Sequence, residues 1–247
     1  MPFRCHGETG VPYSRTVAVM IWTVTNLKPG TAKTTSAVWL AHALHEAGLR
    51  VLLIDADPGG AKSKYAPEAF DGLGSTGRWD LRSGGFPFDF ITNPSRDLHK
   101  ILPRVAADYE VTVIDSPPIE DHQGIAVSAL RVADVAVVPV APTTSEIDRM
   151  APVLAVIADI EPLRAEPLKV CVLLNRTVAN AASTGQAVTA LTGKGYRLLS
   201  TQIARLELYA QSHGAPVVAE GTAYADAAAE IRAFAGETSG ETSGAAR

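Results

Sequence analysis

Five short, continuously apolar runs divide this chain at intervals, and helical patterns lie between them. Strands that are apolar along their whole length are typical of a parallel sheet covered on both faces. The alternation continues without a linker, so we predict an α/β fold: one doubly wound, mostly parallel sheet with helices on both faces. The predicted strands are residues 17–24, 51–54, 111–114, 135–140 and 169–174.

Weaker patterns predict the other elements. A short run at residues 88–92 favours a further strand, and residues 59–87, rich in Gly, Ser, Lys and Asp, are predicted to be an irregular surface segment. Helices are predicted from Lys33 to a stop at Gly48, at 96–109 with Pro103 interrupting, at 123–131, at 145–160 with Ser145 as N-cap, and at 223–234.

The two ends of the chain differ in composition from its middle. Residues 1–16 show no periodicity and are predicted to be a flexible leader. The polar repeat GETSGETSG spans residues 236–244, and the composition of residues 237–247 predicts a disordered tail. The region between them, 17–236, is predicted to be one domain.

Composition narrows the classes of function. The net charge of −4 gives no overall basic surface for nucleic acid, so any such surface would be a local patch. Cys5 and Cys171 have no metal-ligand spacing, and Cys171 is predicted to be a buried, reduced thiol. No apolar run approaches the ~18 residues of a membrane span, and the N-terminus lacks the apolar segment of a signal peptide. We therefore expect a cytoplasmic protein.

The stretch TNLKPGTAKTT, residues 25–35, follows the first strand and leads into the first helix. Strand, glycine-containing loop, Lys-Thr and helix is the context of a phosphate-binding loop. Backbone N–H groups at the start of the helix would face a polyphosphate, whose charge the helix dipole favours. Lys33 would supply a positive charge and Thr34 a hydroxyl for magnesium. The formal pattern G-x-x-x-x-G-K-[ST] is not met, because Pro29 and Ala32 stand where glycines are expected.

Polar side chains follow three other predicted strands. Because ligands bind at the carboxyl ends of parallel strands, we expect these side chains to converge with the loop. Asp115 would hold magnesium through a water, unless it merely caps the next loop. Asp55 and Asp57 would point the same way, one near the metal and one near an attacking water. The alternative is two ordinary turn aspartates before Pro58. Asn175 ends the fifth strand.

Together these segments resemble one family. The residues KPGTAKTT, 28–35, resemble the deviant Walker A box of the ParA/MinD superfamily of ATPases, which have a Rossmann-like P-loop NTPase fold. VLLIDADPGG is similar to that family's second box, VTVIDSPP to its Walker B, and ADVAVVPVAPTTSEID to the segment after it. The pattern around residues 215–217 is most like ParA-type partition proteins.

The resemblance implies roles for the loop. It implies that the backbone of residues 29–32 (Pro29, Gly30, Thr31 and Ala32) binds nucleotide, and that Lys33 contacts the β- and γ-phosphates. It implies that Thr34 and Asp115 hold magnesium, with Asp57 close to the metal, and that Thr35 contacts the α-phosphate. Lys28 matches the signature lysine, which crosses to the partner's nucleotide in an ATP-bound sandwich dimer, although a solvated loop lysine is the alternative. Asp57 matches the aspartate that positions the hydrolytic water.

Roles outside the loop follow in the same way. Asn175 matches an adenine-contacting asparagine, and Pro216 is assigned to nucleotide binding. Arg205 falls where partition proteins often carry a DNA-contacting arginine, although an ordinary exposed arginine fits there equally well.

The resemblance implies a partition ATPase that uses ATP and Mg²⁺, dimerises on ATP, binds non-specific DNA and is stimulated by a ParB-like partner. It would lie on the nucleoid when ATP-bound and would segregate or position a plasmid, phage or chromosome. Stable membrane association is not expected, because the tail lacks a basic amphipathic helix. A MinD-like positioning ATPase is one alternative.

The other alternative is a degenerate nucleotide-binding module with little hydrolysis. The departures from the family pattern favour it: Pro29 removes an N–H, Ala32 costs roughly 1–2 kcal/mol if φ is positive there, and Gly59 replaces a glutamine.

Overall fold

The fold is a parallel sheet covered by helices on both faces. The computed structural model describes residues 19–59 and 73–237, and in this part of the chain seven strands pair in the order β3-β2-β4-β1-β5-β6-β7. They are β1 (Met20–Val24), β2 (Val51–Asp55), β3 (Asp89–Thr92), β4 (Val111–Asp115), β5 (Val135–Val140), β6 (Lys169–Thr177) and β7 (Ile203–Ala204). Every strand pair is parallel. The predicted fold class is confirmed.

Nine α-helices connect and cover these strands within the described residues. They are α1 (Lys33–Glu46), α2 (Ser75–Ser83), α3 (Leu98–Val105), α4 (Ile119–Val132), α5 (Thr144–Asp148), α6 (Met150–Ile160), α7 (Ala182–Gly193), α8 (Glu207–Ala210) and α9 (Ala223–Gly236). Short 3₁₀ turns follow α3 and α6, at Ala106–Asp108 and Glu161–Leu163. None of the helices in the described residues is long and apolar enough to cross a membrane.

The apolar strands separate two hydrophobic cores. Side chains alternate across a strand, so Leu52 and Ile54 of β2 enter the core under α3, α4, α6 and α7. Val51 and Leu53 enter the opposite core, under α1, α2 and α9. Because both faces are buried, a polar side chain without a partner is costly near the centre of the sheet, which explains the apolar runs. Cys171 is a buried thiol in the second core, as predicted, and Cys5 lies outside the described residues.

Four element predictions need correction. The 145–160 helix is divided into α5 and α6, because Pro152 lacks an N–H and its ring clashes with the carbonyl four residues earlier, at Asp148. The N-cap is Thr143 and not Ser145, since Thr143 Oγ1 accepts a hydrogen bond from the backbone of Glu146 at 3.3 Å. Helix α4 begins four residues before the predicted 123 and contains a kink at His122. The two-residue strand β7 was not predicted.

The irregular segment predicted at 59–87 is also partly wrong. Helix α2 lies within it and buries Thr76 and Trp79. Its polar, glycine-containing sequence gives little apolar periodicity, so composition favoured a loop. Residues 60–72 of this segment, the predicted leader (1–16) and residues 238–247 of the predicted tail lie outside the described residues. The predicted domain limits therefore stay predictions.

The sheet order brings together the polar ends of its central strands. In the β2–β4 pair Asp55 is directly opposite Asp115, and in the β1–β4 pair Asp115 is opposite Val24. The loop that follows β1 leads directly into α1. Residues far apart in sequence thus meet at one edge of the sheet, where parallel α/β folds bind ligands.

Candidate nucleotide-binding site

The loop between β1 and α1 makes its turn with two residues of positive φ. Gly30 has φ of 76° and Ala32 has φ of 65°, the left-handed conformation that the family's glycine would supply at that position. Ala32 is the residue immediately before α1, and no side chain caps the helix there. The first N–H groups of α1 therefore donate to no side-chain cap and can bind an anion.

Two lysines lie at this loop in different environments. Lys33 is 7% exposed, and its ammonium donates a hydrogen bond to the carbonyl of Lys28 at 2.9 Å. Burial lowers the Lys33 pKa, while the Asp115 and Asp57 carboxylates counteract that shift. Lys28 is half-exposed, with its Nζ 3.9 Å from Glu120 Oε2. One cation is thus folded into the loop, and the other lies at its outer surface.

The Asp115 carboxylate is the centre of the site. Its Oδ2 accepts hydrogen bonds from Thr34 Oγ1 and from Thr76 Oγ1, both at 2.7 Å. Its Oδ1 is buried without a hydrogen-bond partner among the described residues. Burial raises the pKa of Asp115 to about 6, against the opposing effect of the two threonine hydrogen bonds.

This arrangement fits a magnesium ion that arrives with a nucleotide. A free carboxylate oxygen beside a threonine hydroxyl is the hard-oxygen chemistry that Mg²⁺ prefers. In residues 19–59 and 73–237 no group of three or more His, Cys, Asp or Glu side chains could hold a metal alone. Magnesium would therefore take most of its ligands from phosphates and water, with Thr34 and Asp115 holding it on the protein side.

Asp55 and Asp57 have separate roles in the structure. Asp55 is fully buried, and its carboxylate accepts hydrogen bonds from the backbone N–H groups of Asp57 at 3.0 Å and Gly77 at 2.9 Å. Burial and the neighbouring Asp115 charge raise the pKa of Asp55 to about 7. Asp57 is half-buried, and its Oδ1 accepts from the N–H of Gly59 at 3.0 Å. Asp55 thus orders the turn and α2, which leaves Asp57 as the candidate for the water-positioning role.

Sequence reasoning missed Thr76 and the glycine before α2. A Cβ on Gly74 would lie 2.4 Å from Asp55 Oδ2 and 2.6 Å from the carbonyl oxygen of Asp57, so this position accepts only glycine. Because residue 74 is glycine, the first turn of α2 can approach the carboxylates of Asp55 and Asp115. The available signal was a Ser-Thr pair after a glycine, followed by an apolar Trp79, which is compatible with a helix start.

A cavity of about 660 Å³ adjoins the loop, a volume that suits a small-molecule ligand. Ala32 and Thr35 line one side, and Asn175 lines another. The Asn175 amide is already bonded: Nδ2 donates to Ser36 Oγ and Tyr224 OH, both at 3.3 Å, and Oδ1 accepts from the N–H of Arg176 at 2.8 Å. An adenine contact by this side chain would therefore replace or add to internal hydrogen bonds.

Two arginines also line this cavity. Arg205 follows the short strand β7, and Arg176 lies at the β-bulge of β6 with φ of 57°; sequence reasoning did not single out Arg176. Neither side chain forms a hydrogen bond or ion pair with another described residue. The predicted DNA-contacting Arg205 therefore borders the candidate nucleotide cavity.

Pro216 lies beside a different cavity, and its assignment to nucleotide binding stays a prediction. It lines a separate cavity of about 290 Å³ together with His42, Phe86 and Pro87. It is absent from the residues that line the cavity beside the loop. The assignment of Pro216 to nucleotide binding has no support in this geometry.

Comparison with known proteins agrees with the site. Residues 22–217 match the model of the CobQ/CobB/MinD/ParA nucleotide-binding domain. The chain belongs to this family. It is thereby a member of the ParA/MinD group that the loop and strand-end motifs resemble.

Two curated relatives of this family member carry the same name, maintenance of carboxysome distribution protein A. The protein from Gloeobacter kilaueensis is 38% identical over 130 residues, which cover 53% of this chain and 50% of that protein. The match thus spans about half the length of that relative. The protein from Halothiobacillus neapolitanus is 25% identical over 216 residues, covering 87% of this chain and 94% of that protein.

Solved structures of the family share the fold. The ATP complex of Cyanothece McdA has a TM-score of 0.64 at 17% identity, covering 87% of this chain and 96% of that one. Cobyrinic acid a,c-diamide synthase from Mycobacterium smegmatis, with an ATP analogue and magnesium, has a TM-score of 0.64 at 19% identity, and the match covers 87% of this chain and 95% of that one. MinD from Pyrococcus horikoshii, with Mg-ADP, has a TM-score of 0.62 at 20% identity, and the match covers 88% of this chain and 98% of that one.

We expect Ala32→Gly to stabilise this family member. Ala32 has a left-handed backbone conformation, in which its Cβ is unfavourable. Glycine at this position should therefore raise the free energy of unfolding by about 1 kcal/mol in urea titrations. Ala233→Gly, at an exposed position of α9, is the control and should lower it by roughly 0.5–1 kcal/mol. Destabilisation by both variants would show that the loop does not strain Ala32.

The buried carboxylate of Asp55 predicts a pH dependence. Its pKa is raised in the folded state, so its protonated form contributes stability below pH ~4 that is lost as the pH rises to about 7. Relative to Asp55→Asn, the wild type should therefore become less stable over this range, by at most about 1.4 kcal/mol per pH unit. Urea unfolding of both proteins at several pH values measures the difference, which belongs to the coupled pair with Asp115. A constant difference would contradict a buried ionisable group at Asp55.

Proposed function

We propose that this chain is a positioning ATPase of the ParA/MinD type, which binds ATP with Mg²⁺ and hydrolyses it slowly. The observation that carries the proposal is the Asp115 carboxylate, bonded to Thr34 at 2.7 Å beside a loop that holds the buried Lys33. Hydroxyl, carboxylate and ammonium meet where the first N–H groups of α1 are not used by a side-chain cap. Structural neighbours crystallised with ATP, with an ATP analogue and magnesium, and with Mg-ADP support the same ligand.

The side chains divide the chemistry of hydrolysis among them. Lys33 would leave the Lys28 carbonyl for the β- and γ-phosphates, where its charge favours the negative transition state. Thr34 and Asp115 would hold the magnesium ion, which would supply further positive charge to the phosphates. Asp57, half-buried and not engaged by the α2 backbone, would orient the attacking water.

Lys28 links hydrolysis to dimerisation in this proposal. In the single chain its ammonium is 3.9 Å from Glu120, and the two side chains are 42% and 37% exposed. Such an exposed ion pair is typically worth about 1 kcal/mol or less. Lys28 is therefore free to leave Glu120 for the nucleotide of a second subunit, and the ATP-bound homodimer would be the active form.

The cargo is proposed from the relatives. Two curated relatives are named for the distribution of carboxysomes, and a structural neighbour from Borrelia burgdorferi is a putative plasmid partition protein. Both descriptions fit an ATPase that places a large body in the cell. We therefore propose a positioned cargo, either a protein body or a plasmid, phage or chromosome. Non-specific DNA on the nucleoid would be the matrix, and a ParB-like or functionally equivalent partner the stimulator.

A nucleotide-binding module with little hydrolysis is the second candidate. Pro29 and the strained Ala32 favour it, because both alter the loop that faces the phosphates. The retained Lys28, Lys33 and Asp57 favour the ATPase.

Phosphate release separates the two candidates. We expect Lys33→Ala to abolish ATP turnover, because it removes the buried ammonium of the loop, whereas Lys28 lies at the outer surface of the loop. Lys28→Ala should retain ATP binding and lose most turnover, and Asp57→Ala should bind ATP and hold it. Steady-state phosphate release with Mg²⁺, together with ATP titration calorimetry, measures both properties.

Lys100→Ala is the control, because Lys100 is exposed on α3 and pairs with Asp97 at 2.7 Å. ATP turnover by the wild type that is no higher than that of Lys33→Ala would contradict the ATPase proposal. Loss of ATP affinity in Asp57→Ala would make Asp57 a binding residue.

The DNA proposal has its own test. We expect ATP-dependent retardation of DNA in a gel by the wild type, and its loss in Arg205→Glu. Because Arg205 also borders the nucleotide cavity, ATP binding by this variant must be measured in parallel. Arg104→Glu, at an exposed position of α3, is the control. Retardation that persists in Arg205→Glu, or that is equal without ATP, would contradict the proposal. Loss of ATP binding in Arg205→Glu would indicate that Arg205 binds the nucleotide and not DNA.

A further inference from the structure

The first turn of α2 contacts both buried carboxylates of the candidate site. Thr76 Oγ1 donates to Asp115 Oδ2 at 2.7 Å, and the backbone N–H of Gly77 donates to Asp55 Oδ2 at 2.9 Å. The Thr76 side chain is fully buried. A hydroxyl from an element outside the motifs therefore bonds to the carboxylate assigned to magnesium.

Helix α2 is held in place at several points. The Trp79 indole is buried, donates its Nε1–H to the carbonyl of Ala215 at 2.9 Å and meets the His213 ring edge-on at 5.2 Å between centroids. At the other end, Gly74 packs so closely on the Asp55 carboxylate that no side chain fits. Thr76 thus presents its hydroxyl from a fixed backbone, as a pre-organised supporting residue should.

Thr34 and Thr76 donate to the same oxygen of Asp115 from different surroundings. Thr34 is half-buried at the start of α1, on the side where phosphates would bind. Thr76 is fully buried in the first turn of α2, and its hydroxyl donates to Asp115. If Thr34 turns to a ligand, Thr76 still anchors Oδ2 and leaves Oδ1, which is buried without a partner among the described residues, as the unpaired acceptor of the carboxylate.

We propose that Thr76 is a positioning residue that orients the Asp115 carboxylate and thereby sets the Mg²⁺ dependence of nucleotide binding. The proposal rests on the proposed function, because it presupposes that the site takes Mg-ATP. Hydrogen-bonding partners behind a metal-binding group typically change metal affinity by about 10–100-fold when removed.

Thr112 provides a matched control in the same strand as Asp115. It is fully buried, like Thr76, but its hydroxyl has no hydrogen-bond partner among the described residues. Replacing either threonine by valine removes one hydroxyl at nearly constant volume. Only Thr76→Val also removes a hydrogen bond to Asp115, so the pair separates positioning from a general change in the core.

The experiment measures binding of a non-hydrolysable ATP analogue to the full chain by calorimetry at a series of Mg²⁺ concentrations. We expect Thr76→Val to raise the half-saturating Mg²⁺ concentration by about 10-fold. Binding in EDTA should be unchanged, because the hydrogen bond that the Thr76 hydroxyl donates goes to Asp115 and not to the phosphate loop. Thr76→Ser, which keeps the hydroxyl, should stay within about twofold of the wild type, and Thr112→Val should match it.

An unchanged half-saturating Mg²⁺ concentration in Thr76→Val would overturn the proposal. So would a Thr76→Ser variant no better than Thr76→Val, or a Thr112→Val variant equally impaired. If Thr76→Val does not fold, Thr76→Ala gives the same comparison with Thr76→Ser. Absence of Mg²⁺-dependent analogue binding in the wild type would overturn the proposed function as well, whereas normal wild-type binding with an unaffected Thr76→Val overturns the positioning role alone.

Discussion

Two buried carboxylates at the ends of neighbouring parallel strands are the constraint around which this site is built. Asp55 and Asp115 are directly opposite each other in register, and both have almost no exposed surface. Burial of charge is costly unless each oxygen has donors, so surrounding elements must supply them. The start of α1 supplies Thr34, and the start of α2 supplies Thr76 and the N–H of Gly77. The first turns of both helices are therefore held against the carboxylates.

The repulsion between these carboxylates explains why a cation belongs between the strand ends and the loop. Lys33 is buried, and its positive charge opposes the negative charge of Asp115. It is also engaged with the carbonyl of Lys28. A magnesium-bound polyphosphate would bring positive charge to Asp115 and negative charge to Lys33 at once, so each buried ion gains its partner from the same ligand.

How far the sequence predicts this structure depends on how local each signal is. Unbroken apolar runs identified the five longer central strands, and the Lys-Thr pair after a strand located the loop. The strand-end positions of Asp55 and Asp115 followed from parallel topology, whereas β6 continues two residues beyond Asn175, to Thr177. Helix α2 was missed because its start depends on carboxylates about 20 and 40 residues away. The break before α6 was missed although Pro152 signals it, and Arg176 entered the cavity through a bulge that no sequence pattern indicates.

Pro29 has a consequence for the lysine before it. A residue that precedes proline is restricted to extended backbone conformations, so Lys28 has fewer states available even when its side chain is solvated. Fixing a backbone residue otherwise costs about 1–2 kcal/mol of conformational entropy. Pro29, which breaks the glycine-rich pattern, thus also restricts the loop backbone that carries Lys28. Docking against a second subunit would then begin from a narrower ensemble, and the loss of glycine flexibility would be an advantage for association.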